Sequence, residues 1–446
     1  MTTSTRRSVL GAGLLGGAGL LGSCSASEDP APSGSTPGPS ATPPSGSASP
    51  TALPGAEDLT VPDFDPDDWA SVRAQFPLST DVAQFAAFVL SPHTAQVSAA
   101  IAHHRGRLDL DTEQALHDGY LLEEAVRRAA ASYVGGRVEQ IALTDSTTMG
   151  IAVMYGGLDL GPGDEILTTT HDFFSTEETL RLVSLRTGAE VRRVTLYDEP
   201  AAATVDELVT RLLDAVGPRT RVVAVTWVHS STGVRLPIAE IGAAIADVNR
   251  SRDDSDRIRF CVDGVHGFAA VDTDLPDLGC DFLATGTHKW LFGPRGTGIV
   301  WGRDWDPLTE LIPTFSGPRG GARLSPGGYH DFEHRWALSE AFAFHERIGR
   351  DRVVARTVEQ ASALKQGLAE IDGVTVVTPA DPEVSAGIVC VDVRGLPPAN
   401  AVMELRELGV VASATPYQQS YLRLGPSIVT SPEEVDAAVA AVTKLV

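Results

Sequence analysis

An acid and a lysine lie at the ends of two apolar runs and could do chemistry together. Asp263 closes the run 260–263, and Lys289 lies in the small polar turn Gly286-Thr287-His288-Lys289 after the next such run. A lysine amine can hold pyridoxal 5'-phosphate (PLP) as a Schiff base, while a carboxylate keeps the ring nitrogen protonated. The pair predicts a PLP site, although its spacing alone is a weak signal that needs the surrounding elements.

The elements that must position this pair alternate along the chain. Strands are predicted over 140–143, 165–169, 189–196, 221–228, 259–262, 282–284 and 298–301. Helices are predicted over 122–134, from residue 149, and over 176–186, 205–215 and 238–248. This alternation predicts an α/β fold whose mainly parallel sheet is flanked by helices, with ligands at the carboxyl ends of the strands.

The C-terminal part of the sequence has a different pattern. Helices are predicted over 333–348 and 352–371, followed by two short strands and a helix over 432–444. We therefore expect residues 59–330 to contain an N-terminal segment and the large PLP-binding domain, and residues 331–446 to form a smaller α/β domain. A chain of 446 residues is long enough for both.

Composition argues against several classes of function. The net charge is −23 at pH 7, and no basic stripe offsets it, so a nucleic-acid partner is not expected. The four cysteines are Cys24, Cys261, Cys280 and Cys390. They form neither a disulfide framework nor a metal-binding cluster, and the last three lie in apolar, strand-like surroundings. No metal site is predicted.

The N-terminus has the pattern of an export signal. Arg6 and Arg7 precede a short apolar stretch, as in twin-arginine signals, and residues 21–24 resemble a bacterial lipobox that would lipidate Cys24. An ordinary secretory signal, or cleavage without lipidation, is the alternative. Residues 25–58 are dominated by Pro, Ser, Gly, Ala and Thr and are expected to be a disordered tether. We therefore predict a signal over 1–24 and a protein anchored outside the cytoplasmic membrane, touching it only through this lipid.

Four motifs occur in a characteristic order along the chain. They are residues 228–233 (Val-His-Ser-Ser-Thr-Gly), 263–266 (Asp-Gly-Val-His), 287–298 (Thr-His-Lys to Gly298) and 423–426 (Arg-Leu-Gly-Pro). Together they resemble the class V aminotransferase-like family of fold-type I PLP enzymes, in particular the branch of isopenicillin N epimerase-like proteins and cysteine desulfurases. The likeness extends from about residue 69 to the C-terminus, and it implies a homodimer.

The resemblance assigns roles to several residues around the cofactor. It makes Lys289 the catalytic Schiff-base lysine, Asp263 the partner of the ring nitrogen and His266 a hydrogen-bond donor to the phenolic oxygen. A desolvated lysine beside a cationic ring has a lowered pKa and can move the α-proton. The alternatives are a solvated surface lysine, an aspartate that caps a helix and a structural histidine.

Cofactor phosphate requires backbone amides at a helix start, with hydroxyls beside them. Ser146, Thr147 and Thr148 precede the helix predicted from residue 149 and supply both, although such residues are also ordinary helix caps. His288 matches a family position that helps to bind the phosphate.

The remaining site residues are expected around the ring and the substrate. His171 aligns with the family's ring-stacking histidine, and Phe173 is the rival for this role. Ser230 lies near a position that contacts the cofactor. Arg423, on a strand-like run, matches the arginine that binds the substrate carboxylate, a task that suits a planar guanidinium.

Two departures from the family pattern limit these assignments. The loop over 411–420 lacks the nucleophilic cysteine of the desulfurases, and Cys390, in a buried-strand pattern, is a poor substitute. Cysteine desulfuration is therefore disfavoured. After a Phe-Glu pair, relatives carry Gly-Thr, and that threonine reaches the cofactor phosphate bound in the partner subunit. This chain has His334 and Arg335 at these two positions, which puts the contact between subunits in doubt.

The residues predict removal of an α-proton from an amino acid or an amino-acid-bearing metabolite. The resulting carbanion could be reprotonated on either face by an epimerase, reprotonated at the cofactor by an aminotransferase, or could expel a substituent in a β-lyase. The resemblance favours the first two outcomes. A non-catalytic, amine-binding lipoprotein is the alternative from another class.

Overall fold

The computed structural model describes residues 63–446. The predicted signal over 1–24, with Cys24, and the tether over 25–58 lie outside the described residues. Within residues 63–446, no helix combines the length and the apolar character needed to cross a membrane.

Twelve α-helices and thirteen strands form within residues 63–446. The helices are α1 (Trp69–Arg73), α2 (Ala95–Leu110), α3 (Thr112–Tyr133), α4 (Thr147–Gly157), α5 (Phe174–Thr187), α6 (Val205–Asp214), α7 (Ile238–Asn249), α8 (Phe332–Trp336), α9 (Leu338–Ile348), α10 (Arg350–Ala369), α11 (Pro398–Glu407) and α12 (Pro432–Thr443). The strands are β1 (Ala83–Gln84), β2 (Ile141–Thr144), β3 (Glu165–Thr169), β4 (Glu190–Val194), β5 (Thr220–Thr226), β6 (Arg259–Asp263), β7 (Phe282–Gly286), β8 (Gly298–Gly302), β9 (Val374–Val376), β10 (Val389–Val393), β11 (Val410–Val411), β12 (Ser413–Ala414) and β13 (Leu422–Leu424).

A seven-stranded sheet contains every strand predicted for the large domain. Its order is β2-β8-β7-β6-β5-β3-β4. Strands β3 to β7 pair in parallel, and β8 runs antiparallel to its neighbours β2 and β7. Every residue of β2, β3, β7 and β8 is buried, as expected for strands covered on both faces. The predicted mainly parallel sheet is confirmed.

Helices cover both faces of this sheet. Along β6, Phe260 and Val262 belong to one apolar cluster, while Cys261 between them belongs to another. This alternation follows from the two-residue period of a strand. The first cluster includes buried residues of α3, α6 and α7, and the second includes residues of α4 and α5. The sheet is therefore the middle layer of three.

A second sheet lies near the C-terminus, with the antiparallel order β12-β13-β10-β9. It has more strands than the two that the sequence pattern predicts. The pair β1 and β11 is a further addition, in which Ala83 pairs with Val410 and brings the N-terminal segment against the C-terminal part. The division into domains at residue 330 stays a prediction.

The predicted helix over 333–348 is divided into α8 and α9. The break falls at Ala337, whose ψ of −7° lies well above the value of about −42° that is usual in an α-helix. The helix α3 is longer than predicted and begins at Thr112, where Asp111 caps it by accepting a hydrogen bond from the Gln114 amide. Helix α12 begins with a capping box of Ser431 and Glu434.

Candidate active site

A cavity lies at the carboxyl ends of the central strands. Its walls are formed by Phe88, Val89, Phe173, Thr226, Ser230, Val265, His266, Lys289, Pro416 and Arg423. Four predicted site residues, far apart in the sequence, therefore meet in one space. This is where ligands bind in open parallel sheets.

Sheet register brings Asp263 and Lys289 to this edge. In the parallel strands β5, β6 and β7, Thr226 pairs with Asp263, and Asp263 pairs with Ala284. Lys289 follows the end of β7 in a short turn that the Gly293 amide closes by donating to the Thr287 carbonyl at 2.8 Å. The two predicted residues thus end neighbouring strands, as their sequence pattern requires.

The Lys289 amine faces a histidine whose tautomer is fixed. Lys289 Nζ lies 3.2 Å from His266 Nε2, and the Trp290 indole donates a hydrogen bond to His266 Nδ1 at 3.3 Å. Because Nδ1 accepts, the ring proton lies on Nε2, which points towards the amine. Burial holds the pKa of His266 well below its usual range, so the ring stays neutral and acts as a donor. Burial also lowers the pKa of Lys289.

Asp263 lies beneath the cavity and is almost completely buried, with 1% exposure. One carboxylate oxygen accepts a hydrogen bond from the Val265 amide at 3.1 Å, and the other lies 3.5 Å from Thr176 Oγ1. Burial raises the pKa of Asp263, against the opposing effects of the Val265 bond and the Lys289 charge. A cationic ring nitrogen would compensate the ionised carboxylate here.

The three residues predicted to hold the phosphate lie at the start of α4. Ser146 caps this helix by accepting a hydrogen bond from the Met149 amide, and Thr147 Oγ1 accepts one from the Gly286 amide at 2.7 Å. Thr148 is exposed in the first turn. A Cβ on Gly286 would lie 2.8 Å from the His288 ring and 3.0 Å from Thr147 Oγ1, so only glycine allows this close approach.

Two polar atoms at this site are buried without a partner among the described residues. They are Thr226 Oγ1, in the cavity wall, and His288 Nδ1, beside the start of α4. A polar ligand in the cavity would give both atoms a hydrogen-bond partner. The residues fit PLP: Lys289 would carry it, Asp263 would pair with its ring nitrogen, and the start of α4 would hold its phosphate.

His171 and Phe173 occupy different places. The His171 ring stacks on Tyr197 with centroids 3.9 Å apart, and its Nε2 accepts a hydrogen bond from the Leu196 amide. Burial lowers the pKa of His171 to about 3, which keeps it neutral. His171 is not among the residues that line the cavity, whereas Phe173 is. Which of the two rings covers the cofactor stays a prediction.

Arg423 lines the same cavity as Lys289 and is 7% exposed. Its three nitrogens donate to Ser413 Oγ, to the Ser230 carbonyl and to the Ala414 carbonyl at 3.1–3.2 Å. All of these acceptors are neutral. Burial lowers the pKa of Arg423. A buried guanidinium without a carboxylate partner is costly, and it has donors to spare for an anionic ligand.

We name the two sides of the cavity by their cations. The lysine wall consists of Asp263, His266 and Lys289, and the arginine wall consists of Ser230, Tyr417 and Arg423. Tyr417 belongs to the second because its hydroxyl lies 2.7 Å from Ser230 Oγ.

Several residues around the cavity have no role in the sequence reasoning. Phe88 stacks on Trp290 and lies under the Arg423 guanidinium at 5.2 Å, so the N-terminal segment supports both walls. The apolar run 85–90 and the tryptophan beside the lysine are weak signals in the sequence. Nothing in the sequence marks Tyr417 as a site residue, because its loop lacks any regular pattern.

The two departures from the family pattern can also be located. Cys390 is fully buried in β10, and burial raises the pKa of its thiol to about 12, so it is no nucleophile at neutral pH. Arg335 is buried beside Glu123 at 3.4 Å, and Arg127 binds the same carboxylate at 2.9 Å. Its role towards a partner subunit's phosphate stays a prediction.

Comparisons with known proteins identify the family. The family model for aminotransferase class-V matches residues 102–416. An isopenicillin N epimerase from Streptomyces clavuligerus is 30% identical over 339 residues, which cover 70% of this chain and 81% of the relative. A cysteine desulfurase from Klebsiella pneumoniae (strain 342) is 29% identical over 272 residues, which cover 57% of this chain and 61% of the relative.

Solved structures agree on the fold. The cystine C–S lyase C-DES, in complex with cysteine persulfide, superposes with a TM-score of 0.75 at 23% identity. The match covers 83% of this chain and 99% of the lyase. The family model and the 30% identical relative show that the chain belongs to the class V aminotransferase family of PLP-dependent enzymes.

Proposed function

We propose that the protein removes the α-proton of an amino acid, or of a metabolite that bears one, and acts as an epimerase or an aminotransferase. One observation carries this proposal. The buried Arg423 guanidinium, bonded only to neutral oxygens, lines the same cavity as the Lys289 amine. An α-amino acid presents a carboxylate and an amine on one carbon, and these two residues match its two groups.

Arg423 would bind the substrate carboxylate. A guanidinium can form two parallel hydrogen bonds to a carboxylate, and such charge-assisted bonds are stronger than neutral ones. The Phe88 ring beneath it and the Ser230 carbonyl hold the guanidinium in place. The carboxylate would therefore be fixed on the arginine wall, and the α-carbon would lie between the walls.

Lys289 would move the α-proton. Burial lowers its pKa, which increases the neutral fraction able to accept a proton. His266, held neutral by burial and by the Trp290 hydrogen bond, does not compete for that proton. Bound PLP would withdraw electrons from the α-carbon, and the Asp263 carboxylate would keep the ring nitrogen protonated for this purpose.

The choice of reaction follows the relatives. The isopenicillin N epimerase aligns over 81% of its own length, which supports reprotonation at the α-carbon with inversion. Desulfuration has less support, because the loop over 411–420 contains no cysteine and Cys390 is buried. Elimination of a β-substituent is kept as an outcome of the test.

The decisive experiment incubates the full-length holoenzyme with a panel of amino acids in heavy water. Deuterium at the α-carbon with inversion identifies an epimerase, a keto acid identifies an aminotransferase, and released sulfide or pyruvate identifies a lyase. Absence of exchange with every amino acid would contradict the proposal and favour a binding protein. The holoenzyme should be yellow and should bleach with borohydride.

Export and anchoring are proposed on the sequence pattern. Arg6, Arg7 and Cys24 would send the folded, cofactor-loaded enzyme across the membrane and lipidate it there. The double variant Arg6→Lys, Arg7→Lys should stay in the cytoplasm, and Cys24→Ser should no longer incorporate radiolabelled palmitate. Continued export of the double variant would contradict the twin-arginine route.

A homodimer is proposed on a surface feature. Tyr120, Phe315 and Tyr329 are 65%, 76% and 79% exposed and surround one depression. Exposed aromatic patches of this kind mark interaction sites, and a second copy of the chain is the occupant proposed here. Light scattering should give twice the mass of one chain, whereas the triple substitution of these rings by serine should give monomers.

A further inference from the structure

Tyr417 is an acid–base group at the cavity for which the proposed function has no use so far. Its hydroxyl lies 2.7 Å from Ser230 Oγ, and its ring meets the Phe173 ring edge-on with centroids 6.1 Å apart. Ser230, Phe173 and the preceding Pro416 all line the cavity. The phenol is therefore next to the space that the substrate would fill.

Tyr417 is also close to the proposed carboxylate site. Ser230 binds both groups, since its hydroxyl contacts Tyr417 and its carbonyl accepts a hydrogen bond from Arg423 at 3.2 Å. The α-carbon of an amino acid is one bond away from its carboxylate carbon. A substrate held by Arg423 would thus place that carbon near the phenol.

Tyr417 and Lys289 approach this space from different directions. Lys289 follows β7 and contacts His266 beyond β6. Tyr417 contacts Ser230 beyond β5 and Phe173 beyond β3. The two groups therefore reach the cavity from different elements, Lys289 from the turn after β7 and Tyr417 from the loop between β12 and β13. Inversion requires two acid–base groups that approach the α-carbon from different directions.

We propose that Tyr417 is a catalytic acid that protonates the substrate α-carbon on the face opposite Lys289. This inference rests on the proposed function and would make the reaction an epimerisation. It requires that the phenol be protonated at rest and be able to lose its proton during turnover. Burial, together with the charges of Asp172 and Asp263, raises the pKa of Tyr417 and keeps the phenol protonated at rest. The Ser230 hydrogen bond and the Arg423 charge oppose this shift and would stabilise the phenolate during turnover.

The proton balance closes over one turnover. Lys289 Nζ takes the proton from the α-carbon, and the electron pair of that C–H bond stays with the substrate and its bound cofactor. The Tyr417 O–H bond then breaks, and its proton forms a new C–H bond with that electron pair on the other face. The phenolate, stabilised by Ser230 and Arg423, takes a proton from solvent, and Lys289 returns one to solvent.

The test compares Tyr417→Phe with the unchanged holoenzyme in heavy water, using a panel of L- and D-amino acids. Chiral chromatography measures inversion, and mass spectrometry measures deuterium at the α-carbon. We expect inversion to fall by about a hundredfold or more, while exchange with retention of configuration persists. The ratio of inversion to exchange is the decisive quantity, since a structural defect would lower both together.

Two controls separate catalysis from positioning. Tyr421→Phe removes a hydroxyl from the same loop that bonds to Gln419, and it should leave the ratio unchanged. Binding of 2-aminoisobutyrate, which has no α-proton, should shift the cofactor absorbance at the same concentration in Tyr417→Phe and in the unchanged enzyme. Quenching of tryptophan fluorescence by added PLP should also be the same in both apoproteins.

The outcomes distinguish this inference from the proposed function. Undiminished inversion by Tyr417→Phe, or an equal loss of inversion and exchange, overturns the role of Tyr417 alone. Exchange without inversion in the unchanged enzyme also overturns it and leaves an aminotransferase. If the unchanged enzyme exchanges no α-proton, the proposed function fails together with this inference.

Discussion

The lysine wall and the arginine wall differ in how the chain builds them. Asp263, His266 and Lys289 come from the ends of two adjacent parallel strands and the turns that follow them. The arginine wall is assembled from three places. Ser230 follows β5, Tyr417 lies in the loop between β12 and β13, and Arg423 belongs to β13 of the second sheet. One wall depends on strand register, and the other depends on how two sheets meet.

This difference separates two tasks. The lysine wall would hold PLP, the cofactor on which the family depends. The arginine wall would receive the substrate and choose the reaction, and it is assembled from parts that can vary without disturbing the central sheet. Loops on a rigid scaffold commonly carry such choices. Changes to the first wall should thus abolish chemistry, while changes to the second should alter affinity or outcome.

The largest effect is expected for Lys289→Ala. The variant lacks the amine that holds the cofactor and moves the proton, so activity should fall by about a thousandfold or more. The protein should fold, because the lysine ends in a cavity rather than in the core. Absorbance should lose the borohydride-sensitive band. A variant with normal α-proton exchange would show that the lysine wall is not the catalytic side.

Arg423→Lys tests the arginine wall. Lysine keeps the charge but cannot form two parallel hydrogen bonds, and the loss of about 1.5–3 kcal/mol should raise KM about tenfold to a hundredfold. The value of kcat should change less. The cofactor absorbance of the free enzyme should be unaffected, since lysine keeps the positive charge that acts on Lys289 and His266. An unchanged KM would show that Arg423 does not bind the substrate carboxylate.

The pH dependence of stability tests the cost of burying Asp263. The pKa of Asp263 in the folded protein is raised above the unfolded value of 3.8. The carboxyl group therefore adds most to the free energy of unfolding below pH 3.8, and this addition is lost as the pH rises through the folded pKa. Relative to Asp263→Asn, the apoprotein should lose up to about 1.4 kcal/mol per pH unit in this window. Urea unfolding at several pH values measures this difference.

Bound PLP provides the control for that measurement. A protonated ring nitrogen beside Asp263 would favour the ionised carboxylate, so the holoenzyme should not show the loss. A difference that persists unchanged after PLP is added would argue against contact between the ring nitrogen and this residue.

The smallest effect is expected for the ring that covers the cofactor. Phe173→Leu should weaken PLP binding by about 0.5–1.5 kcal/mol, which is the usual contribution of an aromatic pair. His171→Asn should leave PLP binding unchanged, because that ring packs on Tyr197 outside the cavity lining. Titration of the two apoproteins with PLP, followed by tryptophan fluorescence, gives both affinities. A larger loss of PLP affinity for His171→Asn than for Phe173→Leu would show that His171 stacks on the cofactor ring.

Much of the lysine wall could be predicted because its information is local. Asp263 and Lys289 end apolar runs, and parallel strands bring such ends to one edge whatever the rest of the chain does. The helix start at Ser146 is equally local, since a capping side chain bonds within its own turn. These features depend on short-range periodicity, which a single sequence contains.

Prediction of His171 as the ring-stacking residue depended on alignment position alone. His171 and Phe173 are two residues apart on the loop after β3, and only packing decides which one faces the cavity. The same holds for Trp290, whose contact with His266 fixes a tautomer. Orientation within a loop depends on neighbours that are distant in sequence, and no local pattern records them.

The sequence by itself determined the parallel sheet, the lysine and aspartate at its edge and the arginine on a late strand, because burial periodicity and strand ends are properties of short segments. Only the tertiary structure decided that Phe173 rather than His171 lines the cavity, that Phe88 supports Arg423, and that Tyr417 contacts Ser230 of the cavity wall. Those contacts join segments far apart in the chain, and they exist only once the two sheets have packed together.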